Sequence, residues 1–365
     1  MTVARRVKKH ISELNPYVPG KPVEELEREL GLTDSIKLAS NENPIGPSPK
    51  AVEAMKKALT QVHRYPDGSS YELRAVLSEQ LGVSGEQLVF GAGSDELLEL
   101  IAKAFLGPGD EAVFAWPSFA MYPIVVKGMG AKSVKVPLTV DLVHDLDAME
   151  KAICSSTQVV FVCNPNNPTG TSIGRHDFDN FAKAIPDDVL LVVDEAYFEY
   201  VRRKDFPDAL SLVAERPGTA VLRTFSKIYG LAGTRVGYGV MDKEFASFLE
   251  RSRHPFNINS LAEVAAIAAL DDKEHVEKAR QVNSQGMEYF KKEFAAMGIR
   301  TWNSDANFLL AETGSGTYEA LLPRGVIVRP MEGFGLPDCV RITIGTNVEN
   351  ERVVSALTQL RNGSR

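Results

Sequence analysis

Residues 189–197 read Val189-Leu190-Leu191-Val192-Val193-Asp194-Glu195-Ala196-Tyr197: five apolar residues in a row, halted by two carboxylates. A strand with one face in water alternates apolar and polar residues. An unbroken apolar run suits a strand covered on both faces, as in a parallel sheet between helices. The stretch Gln158–Cys163 nearly repeats the pattern upstream, and Thr219–Thr224 and Val236–Val240 are further strand candidates downstream. Shorter candidates are Leu88–Phe90, Ala112–Ala115 and Ser133–Val136. Helical stretches separate them, one of them over Asp95–Phe105. Strands alternating with helices predict an α/β fold with a mostly parallel central sheet covered by helices.

Outside this region the pattern changes. Residues 1 to about 35 read as an arm with one helix, Val23–Leu30, ended by Gly31; two more helices cover about Lys50–Leu59 and Ser70–Leu81. A long helical region, about Ser260–Met297 and broken near Asp271, leads to strands at Asn307–Ala311, Val326–Arg329 and Val340–Ile344. The expected organisation is an N-terminal arm (1–45, partly joining the small domain), a large domain (46–265) and a smaller α+β domain (266–365).

The chain has 365 residues and a formal net charge of −7, which invites neither nucleic acid nor an anionic membrane. The basic cluster Arg5, Arg6, Lys8 and Lys9 reads as a solvated terminus. The start lacks the apolar core of a signal peptide, and no run of about 18 apolar residues occurs, so no membrane span is expected. Cys154, Cys163 and Cys339 form no CxxC pair, which fits a reducing cytoplasm. The six histidines show no metal-binding spacing, so no metal is expected.

In open α/β sheets, ligands bind beyond the carboxyl ends of the strands. Four strand candidates end in unusual polar residues. After Leu88–Phe90 comes Gly91-Ala92-Gly93-Ser94-Asp95-Glu96, small residues opening a helix whose free amides suit a phosphate; a plain capped turn reads the same way. After Cys163 comes Asn164-Pro165-Asn166-Asn167-Pro168-Thr169-Gly170, a rigid loop whose three asparagines must bond something, either a ligand or their own turn. Asp194 ends a buried strand and needs a cation or a strong donor facing it; a helix cap or a structural ion pair meets the same need. After Thr219–Leu222 come Thr224, Ser226 and Lys227, with Arg235 eight residues on. A lone lysine is ordinarily a surface residue. This one, with hydroxyls and a guanidinium nearby, suits a phosphate-bearing electrophile: the amine forms a Schiff base while the others hold the anion.

Taken in order, Asn167–Gly170, Asp194–Tyr197, Ser226–Lys227 and Arg235 resemble the fold-type I pyridoxal-phosphate aminotransferases, and the resemblance spans nearly the whole chain. Within them the chain is most similar to the histidinol-phosphate aminotransferase family, through Asn15–Tyr17, Leu38–Pro44, Arg64–Gly68, Gly93–Glu96, Val328–Pro330 and Val340–Gly345. The resemblance implies pyridoxal 5′-phosphate as cofactor and, as reaction, amino transfer between histidinol phosphate and 2-oxoglutarate by a ping-pong route in histidine biosynthesis. It implies that Lys227 holds the cofactor as an imine, Asp194 faces its ring nitrogen, and Tyr197 and Asn167 reach its phenolic oxygen. Thr224, Ser226, Arg235 and the amides of Ser94 and Asp95 then hold the phosphate. Tyr65 resembles a tyrosine that reaches the phosphate from a neighbouring subunit, so a homodimer with shared sites is implied. Arg341 resembles the arginine that grips the donor's carboxylate. Arg329 and Tyr17 resemble residues at the substrate's phosphate end. Phe119 departs from the pattern, since relatives often carry a tyrosine or tryptophan there; it can stack on the ring but cannot donate a hydrogen bond.

The same residues also allow an aromatic or broad-specificity aminotransferase, or a decarboxylase of a phosphorylated amino acid. A cofactor-binding regulator would need a DNA-binding module, for which no spare segment or basic recognition helix is present. Asn257 and Asn259 are read either as site residues or as caps of the helix near Ser260.

Overall fold

The computed structural model describes residues 3–363. Its strands are β1 (Ile36–Lys37), β2 (Leu88–Gly91), β3 (Glu111–Trp116), β4 (Lys132–Pro137), β5 (Thr157–Cys163), β6 (Leu190–Asp194), β7 (Thr219–Thr224), β8 (Gly237–Met241), β9 (Arg300–Thr301), β10 (Phe308–Glu312), β11 (Val326–Ile327), β12 (Arg329–Pro330) and β13 (Cys339–Thr343). Seven of them form the central sheet in the order β2-β8-β7-β6-β5-β3-β4. Every pairing in it is parallel except those of β8, which runs antiparallel to both β2 and β7.

The unbroken apolar runs have the expected cause. Along β6, Val192 packs into one hydrophobic cluster while Leu191 and Val193 pack into another on the opposite face. Along β5, Val159, Phe161 and Cys163 join the first cluster and Val160 and Val162 the second. Helices Ser94–Phe105, Met121–Gly128 and Lys243–Ser252 cover the first face, and Arg175–Ala184 and Ala209–Glu215 the second. Each fully buried Val, Leu or Phe here contributes roughly 1.5–3 kcal/mol.

The helical region after residue 260 is two helices, Ser260–Leu270 and Lys273–Ala296, broken at Asp271–Asp272 as expected. The Asn259 side chain accepts from the Ala262 amide at 2.8 Å, so it caps the first helix. Asn257 instead bonds the Phe90 carbonyl and Glu96. A second sheet, β12-β13-β10-β9, is antiparallel and packs against Lys273–Ala296 and Asn347–Gly363.

Two expectations need correction. Val326–Arg329 is not one strand: β11 pairs with β1, β12 pairs with β13, and Val328 carries the chain between the two pairings. The arm holds two short helical turns, Val3–Arg5 and Lys9–Ser12, besides helix Val23–Leu30. Through β1 the chain just before residue 38 is tied to the C-terminal part, and residues 38–43 then run to the carboxyl edge of the central sheet. Among the described residues, no helix is long and apolar enough to cross a membrane, and no group of three or more His, Cys, Asp and Glu is placed to hold a metal.

Candidate active site

A cavity of about 330 Å³ opens at that carboxyl edge. It is lined by Ser94 and Asp95 after β2, Phe119 after β3, Asn167 after β5, Asp194 and Tyr197 at the end of β6, and Thr224, Ser226 and Lys227 after β7. Because β8 runs the other way, its start lies at the same edge and brings Arg235 in. Tyr17, Arg329 and Arg341 complete the walls.

One end of the cavity is built for an anion. The amide end of helix Ser94–Phe105 lies beside Arg235, which donates to the Ala92 carbonyl at 3.2 Å and reaches the Ser226 hydroxyl at 3.4 Å. The Thr224 hydroxyl donates to Ser226 Oγ at 3.0 Å and accepts from the Ser226 amide at 3.1 Å. Asp95 also reaches Arg235, at 3.4 Å. Gly93 precedes the helix with φ +89°, and a Cβ there would run into the Arg235 guanidinium. Free helix amides, two hydroxyls and a guanidinium on one small space suit a phosphate.

Lys227 stands between this cradle and the opposite wall, its amine donating to the Ser40 carbonyl at 3.3 Å. Burial, with Arg341 nearby, pushes its pKa down to about 8. Asp194 is buried and its hydrogen-bond partners are neutral: the Tyr122 hydroxyl at 3.0 Å and the Ala196 amide at 3.2 Å. Burial pushes its carboxyl up to about 6, against the Tyr122 hydrogen bond. The Tyr197 hydroxyl accepts from Asn41 Nδ2 at 2.8 Å, and burial holds its pKa far above the phenol range. Arg341 is buried and donates to the Asn167 side chain and to the Ala39 carbonyl, while its Nε has no hydrogen-bond partner. Burial pushes the Arg341 guanidinium down to about 10. Arg329 lies over the Tyr17 ring, 5.6 Å from its centroid, and donates to the Val18 carbonyl.

A family model described as aminotransferase class I and II matches residues 33–357. The chain belongs to the class I and II aminotransferases. Among the relatives of this aminotransferase is the histidinol-phosphate aminotransferase of Moorella thermoacetica, 49% identical over 354 residues, covering 96% of this chain and 92% of the relative. The enzyme of that name from Akkermansia muciniphila is 47% identical over 99% of this chain and 100% of its own length. Of solved structures, the histidinol-phosphate aminotransferase of Sinorhizobium meliloti in complex with pyridoxal-5′-phosphate superposes with a TM-score of 0.90 at 28% identity, covering 99% and 98% of the two chains.

In this aminotransferase the cavity gathers every residue to which the resemblance gave a role except Tyr65. Tyr65 is 83% exposed and stacks on Phe256, 4.8 Å between ring centroids, away from the cavity. Of the three loop asparagines, only Asn167 lines the cavity. Asn164 accepts from the Ile173 amide, and Asn166 bonds Ser118, Thr169 and the Pro117 carbonyl. The ion pair considered for Asp194 belongs to its neighbour: Glu195 meets Arg223 at 2.8 Å, both buried, with the guanidinium 3.6 Å from the Phe198 ring centroid. Tyr122 and the wall formed by Ala39, Ser40 and Asn41 carry no role in the sequence reading. The local pattern holds no signal for Tyr122, whose partner is 72 residues away.

Proposed function

We propose that this aminotransferase binds pyridoxal 5′-phosphate and exchanges an amino group between histidinol phosphate and 2-oxoglutarate, giving imidazole acetol phosphate and glutamate, as a step of histidine biosynthesis. The observation that carries the reading is one cavity holding an anion cradle, an amine kept below its usual protonation range and a buried carboxyl that meets only neutral donors.

The residues fit that cofactor. A buried carboxylate is costly without a cation, and a protonated ring nitrogen beside Asp194 is the cation the fold leaves out. Thr224, Ser226, Arg235 and the amides of Ser94 and Asp95 would hold the phosphate, Phe119 would stack on the ring, and Tyr197 and Asn167 would reach its phenolic oxygen. When bound, the cofactor supplies an electron sink for the carbon that loses its proton. Lys227 would be the attachment point and would also move a proton from the substrate's Cα; an amine with a pKa near 8 suits that exchange close to neutral pH. Arg341 offers a planar fork to a carboxylate. Arg329, on Tyr17 at the rim, adds a second cation for a substrate phosphate. Two substrates take turns in one pocket, so the kinetics are ping-pong.

The choice of histidinol phosphate is supported by the names of the near-full-length relatives and by the Arg329–Arg341 pair on one cavity. The exposure of Tyr65 supports a homodimer in which it serves the cavity of a second copy. An arm (1–45), a large unit (46–265) and a small unit (266–365), working in the cytoplasm, complete the proposal; the outermost residues of the first and last lie outside the described range.

The cofactor-loaded enzyme, given one amine at a time, tests the reading. Histidinol phosphate and glutamate should each convert the bound cofactor to its amine form, seen as a change in visible absorbance. Conversion by phenylalanine but not histidinol phosphate would replace the substrate, and carbon dioxide release would replace the reaction. Asp194→Asn should lower turnover by on the order of 10²–10³, the usual size for a preorganised electrostatic group.

A further inference from the structure

We infer that Tyr122 is a positioning residue for this reaction: its hydroxyl holds Asp194 in the charged form, so that the proton between Asp194 and the cofactor stays on the ring nitrogen. The inference rests on the reading of Asp194 given above.

Tyr122 lies in helix Met121–Gly128 and is fully buried. Its ring stacks on Phe161, with centroids 4.9 Å apart and planes 9° apart, and meets Phe119 edge-on at 5.8 Å and Phe114 at 5.7 Å. Held on these sides, the ring cannot swing its hydroxyl away from Asp194 Oδ2, 3.0 Å distant. Burial, with Asp194 beside it, pushes the phenol well above its ordinary range, so it stays a neutral donor at working pH.

A ring nitrogen and a carboxylate that share one proton divide it by relative basicity. A donor on the carboxylate lowers its basicity and favours keeping the proton on the ring, where the positive charge is needed. The other groups acting on Asp194 are few. The Ala196 amide donates to Oδ1, Lys227 favours the charged form, and Asp95 on helix Ser94–Phe105 opposes it. Cys163 on β5 feels the Asp194 charge but stays a neutral thiol, pushed by burial far above its usual range. Burial pushes Asp194 up to about 6, and Tyr122 is the largest influence against it. A hydrogen bond to a charged group changes proton affinity roughly tenfold to a hundredfold. Without it the carboxyl would bind a proton more readily and compete better with the ring for it.

The first readout needs no cofactor. In the full chain free of cofactor, the infrared stretch of a protonated carboxyl that is missing in Asp194→Asn reports Asp194 directly. We expect its midpoint near 6 in the unsubstituted chain, and a proton affinity roughly ten times higher or more in Tyr122→Phe. In the loaded enzyme, Tyr122→Phe should lower kcat by roughly tenfold with KM for glutamate little changed, the split expected of an interaction made in the transition state. Equal infrared midpoints in Tyr122→Phe and the unsubstituted chain overturn the inference. So does a shifted midpoint with unchanged kcat. Full turnover in Asp194→Asn with the infrared shift intact would instead sink the reading of Asp194, so the two failures are told apart.

Discussion

Lys227 should behave as an amine about 300 times more available near neutrality than an ordinary lysine, before any cofactor is added. Its ordinary pKa is 10.5, and burial together with the Arg341 guanidinium pushes it down to about 8. Well below both values the free-amine fraction scales as ten to the difference, so 10.5 − 8 gives about 300-fold. At pH 7 roughly a tenth of Lys227 is then unprotonated, against roughly three in ten thousand for a solvent lysine. Competitive acetylation of the cofactor-free chain with trace acetic anhydride, read peptide by peptide by mass spectrometry across pH 6–11, measures this directly. Lys243, which is 62% exposed, serves as the internal comparison. Arg341→Ala removes a cation that disfavours the charged amine and should raise the Lys227 midpoint. A Lys227 midpoint at 10 or above, or one unmoved by Arg341→Ala, would refute the argument that burial and Arg341 prepare this amine for carbonyl chemistry.

Arg341→Ala should also weaken both half-reactions, by about 2–5 kcal/mol in kcat/KM, the cost of stripping one partner from a buried charge pair; Arg329→Ala should hurt histidinol phosphate more than glutamate, and equal losses in single-turnover rates would remove Arg329 as a phosphate ligand. Arg223→Met should cost about 3–5 kcal/mol in urea unfolding because it leaves the buried Glu195 unpaired, whereas Arg223→Met with Glu195→Met should recover most of the loss. His144 is buried with Nε2 unpartnered, and burial pushes its pKa down to about 4 from an ordinary 6.5. The unfolded chain then binds the extra proton between those values, so stability is full above pH 6.5 and falls by up to about 3 kcal/mol as pH drops to 4; His144→Gln should flatten that part of the unfolding profile, and an unchanged slope would count against it.

Most of the site was legible because strand ends mark it. A buried run that stops at Asp194, or that leads into Thr224, Ser226 and Lys227, marks where polar groups gather on the cavity. The choice between Asp194 and Glu195 follows from the pleat, since neighbours on a strand point to opposite faces. Asp194 shares the face of Val192 and Phe161, and Glu195 turns to Arg223. Val328 shows the limit of local pattern: the run Val326–Arg329 reads as one strand, yet its two halves pair with different elements, the first with β1 near the start of the chain and the second with the neighbouring β13. Tyr122 was illegible for a related reason, because an aromatic residue in an apolar helix looks like core and is core, apart from one hydroxyl.

Two contacts of the segment before Asn41 will be hard to find by scanning mutagenesis. Ala39 meets Arg341, and Ser40 meets Lys227, through main-chain carbonyl oxygens. Every amino acid carries that oxygen, so a library of side-chain replacements leaves both contacts in place; the half-buried Ser40 should score as tolerant, while losses at Ala39, packed against Leu26 and Ile327, would report overpacking and not the contact. Only a change in the path of the chain, such as a one-residue deletion between Leu38 and Asn41, would withdraw them. Tolerance at Ser40 in such a library should therefore not be taken as distance from the chemistry.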